Sequence, residues 1–247
     1  MKAKAPRKGV SRETPPRASR ETSLASHEES AVTGDARDIF IGPRSSGYVR
    51  LPPHPRGLRV GLFGGSFNPP HEGHRAASLL ALRRLRLDRI WWLVSPANPL
   101  KDPHKLAPLA LRVEAARKLA RHPRIIVTAV EAAIGATYSF ETIIYLKQRC
   151  PGVHFVWLMG ADNFRGFDRW QRWRDIARLV PIAVIDRPGS TLTALHGRAA
   201  DTLAPYRLNE TSGACLATAT PPAFLFLHGP RSPMSSTALR EHPHARP

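Results

Sequence analysis

The sequence predicts an α/β domain built on a doubly wound parallel sheet, and three observations predict it. Six short, near-continuously apolar runs recur at residues 58–63, 90–94, 125–128, 153–159, 182–185 and 224–227. Each has the length and β-rich composition of a strand buried on both faces. Stretches with apolar residues at helical spacing separate several of them, and strand–helix–strand alternation implies parallel strands with helices on both sides. The unusual, Gly- and Pro-rich segments follow the ends of the runs. In such sheets, ligands bind beyond the carboxyl ends of the strands, where the strand order reverses.

The elements follow in order. Run 58–63 leads directly into GGSFNPPHEGH, residues 64–74. Pro69 and Pro70 remove two donors and place a helix start near His71. Run 90–94 is followed by SPANPLKDPHK, and Leu109, Val113, Ala116 and Ala120 then fall at 4-3-4 spacing on one helical face. After 125–128, the residues Phe140, Ile143, Ile144 and Lys147 begin another amphipathic helix. Run 153–159 ends in GADNFRGFDRWQRW, run 182–185 in DRPGS, and 224–227 precedes MSSTALR, residues 234–240.

Residues 1–57 differ from all of this. They are rich in Pro, Ser and Arg, sparse in apolar residues and without period, so they read as a disordered basic tail before a folded domain at 58–247. Eleven Lys/Arg stand there against six Asp/Glu, too many acids for a transit peptide. Across 247 residues the net charge is +18, which points to an anionic partner. The two cysteines, Cys150 and Cys215, lie far apart and support neither a disulfide framework nor a zinc site. No apolar run approaches the ~20 residues of a membrane helix. A cytoplasmic protein without membrane contact is the expectation.

The segment after the first run carries the chemistry. Gly64 and Gly65 lack a Cβ, so backbone N–H groups can approach a ligand closely and take up positive φ, and N–H groups aimed at one point favour an anion. A helix beginning near His71 adds its positive dipole end there. His71 and His74 stand at i and i+3, on one face once the turn is helical. Neutral imidazole donates to phosphate oxygens, and Gly73 between the two leaves room for a ligand against the backbone. No Cys or third His completes a metal set. Neither GxxxxGK[ST] nor GxGxxG is present, so a phosphate cradle of another kind is indicated.

GGSFNPPHEGH resembles the GGxF[DN]PxHxGH signature of the HxGH nucleotidyltransferases, in particular the nicotinate-nucleotide adenylyltransferases, and MSSTALR resembles their ISSTxxR signature with Met234 in place of Ile. The resemblance spans residues 58–240, makes 58–247 a nucleotidyltransferase domain and implies a Rossmann-like fold. It implies that ATP is held by Gly64, Gly65, Ser66, Phe67, Gly73, Gly160, Asp162, Ser235, Ser236 and Thr237, with His71, His74 and Arg240 carrying the reaction. Asp162, in GADN, would face the ribose or a magnesium-bound water. Trp170, in FDRW, matches a tryptophan that stacks on the pyridine of nicotinate mononucleotide, and Trp173 takes the core position. Thr137 and Tyr138, in ATYSFET, match a segment whose backbone holds the nicotinate carboxylate. Asn98 and Lys101, in ANPLK, lie in the loop next to that substrate. Magnesium is expected to arrive with ATP rather than on protein ligands.

The reaction so implied is adenylyl transfer from ATP to nicotinate mononucleotide, releasing pyrophosphate, in NAD biosynthesis. Rival acceptors are nicotinamide mononucleotide and pantetheine phosphate; the latter enzymes usually carry Thr where His71 stands. A basic nucleic-acid-binding protein would cluster its Lys and Arg with interleaved aromatics. They are dispersed here, so no nucleic-acid partner is expected, while a homo-oligomer stays open.

Overall fold

A computed structural model describes residues 49–96, 106–186 and 197–229. Six strands form one sheet in which every neighbouring pair is parallel: β1 (Arg59–Gly65), β2 (Arg89–Val94), β3 (Ile125–Thr128), β4 (His154–Gly160), β5 (Ile182–Ile185) and β6 (Phe224–Leu227). Their order is β3-β2-β1-β4-β5-β6, so the winding reverses between β1 and β4. That is the crevice at which a doubly wound sheet receives a ligand.

The crossovers are α1 (Glu72–Arg84), α2 (Leu109–Ala120), the short α3 (Val130–Ile134), α4 (Ser139–Arg149), α5 (Ala161–Arg165), α6 (Trp173–Leu179) and α7 (Arg198–Leu203). A 3₁₀ segment at Glu210–Thr218 precedes β6. Successive side chains along a strand point to opposite faces, and the core divides accordingly. Leu62, Trp91, Phe155, Trp157 and Met159 pack with α4 and α6 on one side, while Phe63, Trp92, Val94, Val156 and Leu158 pack with α1 and α2 on the other.

Several expectations shift. Strand β1 continues through Gly64 and Gly65, which are therefore extended rather than at positive φ; the left-handed residue of the loop is Phe67, with φ 47°. Glycine is needed at position 64 for a different reason. A Cβ there would stand 2.9 Å from Trp157 Cη2 on the neighbouring strand. On α2, Leu109 is only half-buried, and Arg112 joins Val113, Ala116 and Ala120 in the interior.

Ordered contacts begin upstream of residue 58. Leu51 packs against the core, the Arg50 carbonyl accepts from Thr128 Oγ1 at 3.4 Å, and Gly57 N–H donates to the Gly152 carbonyl at 2.7 Å. Residues 1–48 lie outside the described residues.

Candidate active site

A cleft of about 320 Å3 opens at the switch point between β1 and β4. Gly64, Gly65 and Ser66 form its wall at the end of β1, and Ser95 follows β2. Thr137, Tyr138 and Ser139 line it from the start of α4, while Asp162, Asn163 and Trp170 come from the segment after β4. Two groups of residues far apart in sequence, those of the phosphate loop and those assigned to a pyridine nucleotide, thus meet in one cavity. Its size suits a nucleotide-sized ligand.

His71 and His74 are nearly buried, at 3% and 9% exposure, and are not among the lining residues of this cleft. His71 is the N-cap of α1 with an extended backbone (φ −145°), so the pair does not share a helical face as the spacing suggested. The rings still meet, with centroids 3.9 Å apart, because His74 Nδ1 accepts the His71 backbone N–H at 3.2 Å. Phe67, placed by its left-handed backbone, lies 4.8 Å from the His74 ring and stacks on Trp92 at 4.9 Å. Trp92 Nε1 in turn donates to Ser78 Oγ, which donates to the His74 carbonyl. The HxGH turn is held from both of its ends.

Gly73 is half-buried in the first turn of α1, and Gly160 ends β4 and caps α5. Trp170 is half-buried, edge-on to Trp157 at 6.2 Å and to Phe167 at 5.5 Å, and lines the cleft. Trp173 is in the core at 6% exposure, as its spacing implied. Asn98, Lys101, Ser235, Ser236, Thr237 and Arg240 lie outside the described residues.

The amides of Thr137 and Tyr138 are committed elsewhere. Both donate to Glu141 Oε2, at 2.8 and 3.0 Å, as part of the cap of α4. Ser139, the first residue of that helix, lines the cleft beside them. Sequence reasoning passed over it.

It also passed over Glu131, Arg112 and Trp157. Glu131 lines the cleft from α3 at 6% exposure and accepts from Thr142 Oγ1 at 3.1 Å. Burial pushes its carboxyl up to about 7, against the opposing pull of the Thr142 hydrogen bond. Among the described residues no group of three or more His, Cys, Asp or Glu could hold a metal ion. Asp162 is the exposed carboxylate at the rim of the cleft.

A cytidylyltransferase-like family model matches residues 62–242. The protein named "Probable nicotinate-nucleotide adenylyltransferase" of Brucella abortus (strain 2308) is 54% identical over 184 residues, covering 74% of this chain and 95% of that one. A protein of the same name in Methylorubrum extorquens is 57% identical over 183 residues, covering 74% and 99%. The chain belongs to the nicotinate-nucleotide adenylyltransferase family. Its fold is shared with the nicotinic acid mononucleotide adenylyltransferase of Plasmodium falciparum solved with NaAD, at a TM-score of 0.54 and 15% identity, covering 74% of this chain and 82% of that one. In this nicotinate-nucleotide adenylyltransferase the loop between β1 and α1 is tied to the core through Phe67 and Trp92. No helix among the described residues is long and apolar enough to cross a membrane.

Proposed function

We propose that this chain transfers the adenylyl group of ATP to nicotinate mononucleotide, giving nicotinate adenine dinucleotide and pyrophosphate in the cytoplasmic synthesis of NAD. The observation that carries the reading is the single cleft shared by Gly64–Ser66 and Trp170 at the β1/β4 switch point. Family membership at 50–57% identity supports the choice of reaction.

The 5′-phosphate oxygen of the acceptor attacks the α-phosphorus of ATP, and the bond to the β-phosphate oxygen breaks as pyrophosphate leaves. No covalent enzyme intermediate is required. The protein's part is to align the two phosphates and to offset charge on the transferring and leaving groups.

His74 and His71 serve the α- and β-phosphate oxygens, Ser236 and Arg240 the β/γ end, and the amides around Gly64–Ser66 the cradle. The histidines are not among the residues lining the described cleft, whose walls carry Gly64–Ser66 for the triphosphate and Trp170 for the acceptor. Trp170 stacks on the pyridine, and Ser139, which lines the same cleft, offers an amide and a hydroxyl to the carboxylate, because Glu141 already holds the amides of Thr137 and Tyr138. Magnesium, entering on the triphosphate, offsets phosphate charge when bound. Asp162, at the same cleft, would accept from a ribose hydroxyl or from a metal-bound water. Incubation with ATP, Mg2+ and nicotinate mononucleotide should yield nicotinate adenine dinucleotide by mass spectrometry. Absence of that product under conditions where the protein is folded would refute the assignment.

A further inference from the structure

Arg112 is 3% exposed on α2, and no other lysine or arginine among the described residues is buried. Its partners are all backbone carbonyls. Nε donates to Ala107 at 2.8 Å, Nη1 to Ser66 at 2.7 Å and to Ser95 at 2.7 Å, and Nη2 to Pro96 at 3.0 Å. One planar fork therefore ties three separate backbone segments: the loop after β1, the end of β2 and the approach to α2. A second bond, from Ala107 N–H to Asn68 Oδ1 at 3.2 Å, joins the first and third of these again.

Neutral carbonyls take up four of the guanidinium's five N–H donors but leave its charge uncompensated, and burial lowers its pKa from a value far above neutrality. A buried cation without a carboxylate partner is a costly way to fasten loops. Two of the residues it holds, Ser66 and Ser95, line the cleft. Drawing the Ser66 carbonyl inward also fixes the plane of the Ser66–Phe67 peptide, whose N–H must point the opposite way across a trans bond.

We propose that Arg112 is a positioning residue for the phosphate loop: it sets Ser66 and Ser95 at a fixed separation and places an uncompensated positive charge behind the wall that receives a nucleoside triphosphate. This rests on the reading of Gly64–Ser66 as the ATP cradle.

The test is calorimetric titration of ATP with Mg2+ into the full-length wild type, R112K and R112M, each held well below a melting midpoint measured by circular dichroism. R112K keeps the charge and loses the planar fork, and R112M loses both. ATP should bind about tenfold more weakly to R112K and more weakly again to R112M. Added salt should weaken wild-type binding more than that of R112M. A purely fastening role lowers the melting midpoints and leaves the ATP Kd of the folded variants at the wild-type value, and that result overturns the proposal. If R112M shows no cooperative melt, the R112K titration decides alone by the same criterion. A folded wild type that does not bind ATP removes the cradle reading and the proposal with it. ATP binding without any adenylyl transfer would instead count against the proposed reaction and leave the role of Arg112 standing.

Discussion

His74 Nδ1 accepts the backbone N–H of His71 at 3.2 Å, with the two imidazoles 3.9 Å apart between centroids. A ring nitrogen that accepts carries no hydrogen, so the hydrogen of neutral His74 sits on Nε2. Protonation of Nδ1 would set two N–H groups against each other. The turn therefore fixes the orientation of the His74 ring and, for the neutral ring, the Nε2–H tautomer.

His74→Ala should lower kcat by roughly 10²–10³-fold, the usual cost of one preorganised donor to developing charge. Because the ring also packs on Phe67, a fall of a few degrees in melting midpoint accompanies it. Stopped pyrophosphate release measured alongside a thermal melt separates the two effects. Wild-type kcat in the folded variant would take His74 out of the reaction.

Trp170→Ala should raise KM for nicotinate mononucleotide far more than KM for ATP, since stacking is worth about 1–3 kcal/mol and the phosphate loop contributes separately. Trp170→Phe should recover much of the loss. Trp170 also touches Trp157 and Phe167, so the melting midpoint will move somewhat. The two Michaelis constants moving together would identify a core residue only.

Glu131 gives a pH signature in stability. Its carboxyl titrates near 7 when folded and near the ordinary 4.5 when unfolded. Below 4.5 both states are protonated and the contribution is whole. Between 4.5 and 7 only the folded state keeps the proton, so stability declines as pH rises, by at most about 1.4 kcal/mol per pH unit. Glu131→Gln preserves an acceptor for Thr142 and should flatten this slope in urea melts across pH 5–8. An unchanged slope would mean that Glu131 is ionised in the fold.

Removing residues 1–48 should leave turnover unchanged, whereas extending the deletion through Gly57 should lower the melting midpoint by loss of the Leu51 packing and the Gly57–Gly152 bond. Equal midpoints for the two truncations would show those contacts to be without weight.

The sheet was legible because its strands are buried on both faces, and a run such as FLFL or IAVI has no other reading beside Gly- and Pro-rich breaks. The loop after β1 stood out through its rare combination of glycines, prolines and histidines. What stayed hidden was held by partners distant in sequence. Arg112 falls on a helix whose apolar spacing looks complete without it, and its carbonyl partners at Ser66, Ser95 and Pro96 come from other loops. Glu131 is a lone acid on a five-residue helix and becomes notable only once burial raises its pKa. Gly64 was marked for a backbone freedom that it does not use, because the approach of the Trp157 ring cannot be seen along the chain.

The acceptor decides the matter. Steady-state pyrophosphate release with saturating ATP and Mg2+, measured across nicotinate mononucleotide, nicotinamide mononucleotide and phosphopantetheine, should give its highest kcat/KM with nicotinate mononucleotide and none above background with phosphopantetheine. Preferred turnover of phosphopantetheine, or release that no acceptor stimulates, would contradict the proposed reaction.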